Sequence, residues 1–157
     1  MVSFTGSLSH NSDGLIVFVD EKYRYKDKNV VLSKEIIQKI NSFLSVLKAK
    51  KTEDEVNSFD ISNKQKCLIV KVKNKYESFF PQEIGASVFL YLKKIKDINE
   101  IDLYIDSLDL DKQSLVSFFS QFCFGFNLKS YTFNKYKTSD KDKINKKINL
   151  KIITAYE

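Results

Sequence analysis

The stretch Gly14–Asp20, GLIVFVD, limits what this chain can fold into more than any other feature. Five consecutive apolar residues rich in β-branched and aromatic side chains fit a strand, and a strand apolar on both faces must be covered on both faces. Covering layers are supplied a few residues later, where the period changes. Ile36, Ile37, Ile40, Phe43, Leu44 and Leu47 recur at spacings of three and four. That predicts an amphipathic helix over 33–48, capped by Ser33 and ended by Lys48, Lys50 and Lys51 on the negative end of its dipole.

The same alternation continues to the end of the chain. VSFTG near the start predicts an edge strand, EVNSFDI a short strand, and Lys66–Val72 (KCLIVKV) a stronger one. Pro81 opens a second helix, where a missing N–H costs nothing, with Ile84, Val88, Leu92 and Ile95 as its stripe. IDLYID alternates, Ile101, Leu103 and Ile105 on one side and Asp102, Tyr104 and Asp106 on the other. From about Asp111 to Leu128 the residues are apolar around most of a helical circumference, which predicts a well-buried helix. KINLKIIT, alternating Ile148, Leu150 and Ile152, closes the series as a strand. Strands and helices in this order predict one α/β domain over 1–157, with a largely parallel or mixed sheet between helices. The segment SDKDKINKK reads as a charged, solvated connector.

Residue content then removes whole classes of chemistry. The one histidine, His10, sits in a Ser/Asn-rich terminal segment and is expected to be exposed and non-catalytic. Cys67 and Cys123 lie in apolar stretches, distant in sequence from each other and from any histidine. They read as buried, reduced thiols suited to a cytoplasmic protein, not as a disulfide or zinc pair. Asp106, Asp109 and Asp111 form the closest approach to an acidic cluster, at a strand end and a helix start, and capping is their expected role. There is no HExxH, CxxC, GxGxxG or Walker-type motif. No apolar run approaches the roughly 20 residues of a membrane span, and the N-terminus lacks the pattern of a signal peptide. No catalytic, cofactor-binding or metal-ligating residue is expected in this chain.

Net charge is +6, carried by 26 basic against 20 acidic residues. Arg24 is the single arginine, so the bidentate fork that reads bases or grips phosphate is nearly missing. Lysines at 48, 50, 51, 141, 143, 146 and 147 support only weak, salt-sensitive attraction to nucleic acid. A free-standing basic binding module is the alternative functional class on that basis.

One segment points further. FCFGFNLKSYTFNKYKT, a long apolar helix running into Tyr-x-Phe-x-x-Tyr-Lys-Thr, resembles the end of the N-terminal, non-catalytic domain of the leucyl (cytosol) aminopeptidases. The positions carrying the resemblance are Gly125, where that family favours a small residue, and Tyr131, Phe133, Tyr136, Lys137 and Thr138. The match is specific over about 118–138, and the order of elements agrees from about Gly14 to Thr154.

The resemblance implies a macro-domain-like fold and a larger enzyme. In that family a separate C-terminal domain binds two divalent metals, zinc, manganese or magnesium, and removes N-terminal residues from peptides. The enzymes assemble as homohexamers. The metal-site signature Asn-Thr-Asp-Ala-Glu-Gly-Arg is absent here, so no catalytic or metal residue is carried over. The implied role is that of an accessory domain whose partners are its own catalytic domain and other copies. The turn after the LIV strand, KVKNK, lacks the glycine usual in the family, which argues against a nucleotide-type pocket. Tyr131 and Phe133 share a face if extended, and a structural staple closing the helix over the sheet is expected of the aromatic motif in preference to a stacking platform.

Overall fold

The computed structural model describes residues 2–5, 11–27, 31–131 and 147–155. In chain order the elements are β1 (Val2–Thr5), β2 (Gly14–Val19), α1 (Lys34–Lys50), β3 (Val56–Asp60), β4 (Lys66–Lys71), α2 (Phe80–Lys93), β5 (Glu100–Tyr104), a 3-10 turn (Ile105–Ser107), α3 (Lys112–Ser130) and β6 (Asn149–Ile153). The strands form one six-stranded sheet in the order β1-β6-β5-β2-β4-β3. β3 runs antiparallel to β4, and the other four pairings are parallel. The mixed sheet and flanking helices are those expected from the alternating periodicities. No helix among the described residues is long and apolar enough to cross a membrane.

Every residue of β2 is buried, as its unbroken apolar run requires. Its side chains feed two cores. Ile16 and Phe18 join Leu68, Val70, Ile101, Leu103, Leu150 and Ile152 beneath α2 and α3. Leu15, Val17 and Val19 join Cys67, Ile69 and Tyr104 beneath α1, whose Ile40, Leu44 and Leu47 complete that side. Phe18 lies against a group of phenylalanines from α3 and meets Phe119 edge to face at 4.9 Å.

Helix ends follow the sequence signals. The Ser33 hydroxyl accepts a hydrogen bond from Ile36 N–H, and α1 stops at Lys51, which takes a left-handed conformation with φ 49°. Asp111 caps α3 by accepting from Ser114 N–H at 3.0 Å. Pro81 lies in the first turn of α2.

α2 and α3 cross at two glycines. A Cβ on Gly85 would overlap the carbonyl oxygen of Phe122, and one on Gly125 would overlap that of Gln82. Each helix therefore offers its backbone to the other, and only a residue without a side chain fits at either point. This accounts for the small residue at 125.

β5 alternates as read, and both of its sides are dry, with Asp102 and Tyr104 at 0% exposure. The strand lies inside the sheet, between β2 and β6, and both of its faces are covered. α3, expected to be buried around most of its circumference, leaves Val116 59%, Phe124 56% and Leu128 63% exposed. It belongs to an outer layer, so the sheet and α2 take only part of its surface, with Leu115, Phe118, Phe119, Phe122 and Phe126 turned inward.

Candidate functional site

In an open α/β sheet, ligands bind beyond the carboxyl ends of strands where chain direction across the sheet reverses. Here that place is β2, flanked by β4 on one side and β5 on the other. Two adjoining cavities of about 320 and 310 Å³ open there, both lined by Asp20, Arg24, Leu108 and Asp109.

The first wall is the loop leaving β2. Asp20 organises it: one carboxylate oxygen accepts from the N–H groups of Lys22 (2.8 Å) and Arg24 (2.9 Å), and the other from Arg24 Nε (2.8 Å). Arg24 Nη2 lies 2.8 Å from the same carboxylate. Burial alone would raise the Asp20 carboxyl, but these hydrogen bonds and the guanidinium outweigh it and hold the group below its ordinary range. Tyr23, at φ 57°, turns inward, and its hydroxyl donates to Thr52 O at 3.0 Å.

The second wall follows β5. Ser107 Oγ accepts from Phe18 N–H at 2.9 Å and donates to Tyr104 O at 2.6 Å, which ties the ends of β2 and β5 together. Asp109 pairs with Lys26 across the mouth. The third wall follows β4 and comprises Val72, Lys73, Asn74 and Tyr76. Tyr76 leans on Phe80 and Phe118, with ring centroids at 5.3 and 5.8 Å.

Chemically, this crevice is occupied with itself. Asp20 is neutralised by Arg24 and Asp109 by Lys26. No glycine is among its lining residues, so backbone amides are not bared as a phosphate cradle would need. A more open groove of about 810 Å³ lies at the opposite, amino end of β2 and β4, between 60–66 and 96–98. Its charges are of both signs, and Lys66 is paired with Asp60. Among the described residues no group of three His, Cys, Asp or Glu side chains could hold a metal ion.

The residues singled out in the sequence do not converge. Asp111 caps α3, Asp109 pairs with Lys26, and the buried Asp106 accepts from Thr154 Oγ1 and Ala155 N–H, both at 2.9 Å, tying the end of β6 to β5. Cys67 is buried in β4 and Cys123 half-buried on α3, and both are free thiols. Burial pushes both thiols up, that of Cys123 to about 11, so neither is a thiolate nucleophile at neutral pH. Gly125 seats α3 on α2. Tyr131 ends α3, its N–H donating to Asn127 O and Leu128 O, and the residue is 74% exposed. Phe133, Tyr136, Lys137 and Thr138 lie outside the described residues, as does His10. Lys48, Lys50 and Lys51 sit at the C-terminal end of α1, and of Lys141, Lys143, Lys146 and Lys147 only the last lies among the described residues.

Sequence reasoning missed a buried polar set on the α1 side. Tyr104 donates its hydroxyl to Asp27 Oδ1, and Ser12 donates to Asp102 Oδ2 at 2.9 Å. Gln65 Nε2 reaches Ser12 Oγ at 3.0 Å. Burial first, then the Asp27 carboxylate, raises the Tyr104 phenol. The only signal for this set was the polar half of the alternation in β5, which reads equally well as a solvated face.

Comparison with known structures places the fold. The macrodomain of Thermus aquaticus DarG matches over 98% of this chain and 98% of its own, with a TM-score of 0.64 and 6% identity. The chain has a macro-like α/β fold. Tomato leucine aminopeptidase, in a K354E mutant, matches over 98% of this chain and 32% of its own, with a TM-score of 0.70 and 15% identity. The chain thus spans about a third of that enzyme's length. No family model matches the sequence, and no curated protein matches it either.

Proposed function

We propose that this chain is an accessory, non-catalytic domain of a leucyl-aminopeptidase-type metallopeptidase. Peptide hydrolysis and its two divalent metals belong, in this reading, to a separate catalytic domain. The work of this domain is to position that partner and support assembly of the homohexamer. One observation supports the reading above the others: nearly the whole chain superposes on a third of the tomato enzyme. The aromatic motif that begins at Tyr131 and the small residue at Gly125 agree with it.

The self-neutralised crevice fits the same role. A domain whose switch-point charges are already paired is better suited to holding a partner than to turning over a substrate. The size of the native product, by blotting source-cell lysate with an antibody to this domain, tests the proposal. A band far above 18.3 kDa is expected, and a band at 18.3 kDa would overturn it. The isolated chain, assayed on a leucyl chromogenic peptide with added manganese, is expected to show no turnover. Chelator-sensitive hydrolysis would overturn the non-catalytic assignment.

A further inference from the structure

β3 ends one side of the sheet, with β4 as its neighbour on the other. The ladder between them fixes where the β3 backbone points. Lys71 N–H donates to Glu55 O at 2.8 Å, and Ile61 N–H to Gln65 O at 2.9 Å, so residues 55 and 61 lie in hydrogen-bonded pairs. Antiparallel ladders alternate such pairs with pairs that share no bond. Val56, Ser58 and Asp60 therefore turn their N–H and C=O groups away from β4. Among the described residues no hydrogen bond reaches these six groups. Free edges are ordinarily blunted by lysine, proline or a bulge. β3 has none of these: its sequence is VNSFD, and its register runs unbroken from Val56 to Asp60.

The two sides of this edge differ in chemistry. On the α1 side Phe59 lies against Phe43, both half-buried, with ring centroids at 4.7 Å. Val46, one turn along α1 from Phe43, is 46% exposed. On the α2 side the Ser58 and Tyr91 hydroxyls share a hydrogen bond at 2.8 Å. There too the Asp60 carboxylate, 67% exposed, holds Lys66 across the ladder. From Thr52 to Asn63 the chain carries four acids and no base.

We propose that the free edge of β3 is a docking site for an extended segment of another protein, added as an antiparallel seventh strand with a basic residue opposite Asp60 and an apolar residue opposite Phe59. The backbone selects a peptide. Only an extended chain offers donors and acceptors at the two-residue repeat, about 6.8 Å, of residues 56, 58 and 60. The side chains select its composition. A basic residue opposite Asp60 meets the open side of a carboxylate whose other side faces Lys66. The apolar residue opposite Phe59 extends the half-buried Phe59–Phe43 pair. A second copy fits less well, because two β3 strands paired about a twofold axis at Ser58 would set Val56 against Asp60 twice. The site requires nothing of the peptidase reading, and its test is independent of native product size and of peptide hydrolysis.

The probe is the acetylated and amidated hexapeptide Lys-Val-Thr-Val-Ile-Lys, its first Lys matched to Asp60, titrated into the isotope-labelled full chain. Amide exchange is read by NMR. In the free chain the amides of Val56, Ser58 and Asp60 should exchange on the order of 100-fold faster than those of Asn57 and Phe59. Saturating peptide should slow the first three to the rate of the others, with a Kd below about 1 mM. N-methylation of the peptide at Thr, whose N–H faces β3, should weaken binding on the order of tenfold. N-methylation at the next Val, whose N–H faces away, should leave binding unchanged. Ser58→Pro removes an outward N–H without breaking a ladder bond and should abolish binding, whereas Ser58→Ala should retain it. Asp60→Lys should weaken binding about fivefold. Circular dichroism of each variant checks that the fold persists. Absence of protection at millimolar peptide would overturn the proposal, as would equal binding of the two N-methylated peptides. Outer amides already slow in the free chain, at every protein concentration, would mean that the chain covers its own edge. Protection that grows with protein concentration would give the edge to a second copy. Either result would overturn the assignment to another protein, and indifference to Asp60→Lys would overturn the basic residue.

Discussion

α1 and α3 cover opposite faces of one sheet, yet their outer surfaces differ. α1 carries Lys34, Glu35, Lys39, Lys48 and Lys50, with Val46 as its exposed large apolar residue. Its Lys39 pairs with Glu35 at 2.9 Å, the solvated i,i+4 pattern of a helix that faces water. α3 is longer and keeps its two lysines near its ends, while Val116, Phe124 and Leu128 stand outside. Both helices bury an apolar stripe against the sheet, and they differ only in what the other side is prepared to meet. Burial of the inner face says that a helix belongs to a domain. The composition of the outer face says whether the domain is expected to stand alone.

The comparison is tested hardest on the inner face of α3. Phe122 is fully buried and packs against Phe18 at 5.5 Å. Phe122→Ala should cost about 3–5 kcal/mol of unfolding free energy in urea titration, the range for deleting a core aromatic. An effect near zero would mean that α3 is not part of the folding core.

Next in size is the helix crossing. Gly125→Ala puts a methyl group into the carbonyl of Gln82, and about 3 kcal/mol should be lost unless α2 and α3 separate. Gly85→Ala should behave alike, and the double variant should lose less than the sum, because one separation relieves both clashes.

The two caps sharpen the contrast through pH. Ser33→Ala should cost about 1 kcal/mol, with no change in that increment between neutral and acid pH. Asp111 differs because its carboxyl is held below its ordinary range, first by the Ser114 hydroxyl and then by the Ser114 N–H. With the folded value below the unfolded one, its contribution is full above about pH 4 and is lost as pH falls through the folded value. The stability gap between wild type and Asp111→Asn, measured by urea titration at stepped pH, should therefore narrow toward acid. Smallest of all should be Val46→Ala on the outer side of α1, within about 0.5 kcal/mol.

Local periodicity and end chemistry were enough to read most of the fold. β2 declared itself by an unbroken apolar run, and the ends of α1 and α3 by Ser33 and Asp111, because a cap and its N–H partner lie within three residues. Gly125 was legible as a small position, but its partner Gly85, forty residues earlier, carried no sign of the pairing. The crevice beside β2 was legible only through what its turn lacked. That Arg24 would neutralise Asp20, and Lys26 the distant Asp109, depended on how the loops return over the strand ends.

What the linear order of residues determined here is therefore whatever is decided within a turn or a strand: the element types, their limits, the alternation that demands an α/β sandwich, and the scarcity of reactive groups. Three things were decided by packing between distant segments. Asp102, Tyr104 and Asp106 became buried because β5 was placed inside the sheet and not at its edge. Gly85 and Gly125 became indispensable because two helices touch backbone to backbone. Val116, Phe124 and Leu128 became surface because α3 is an outer layer. In each case the physical reason is the same. Exposure is a property of neighbours, and a residue's neighbours in space are chosen by the whole chain.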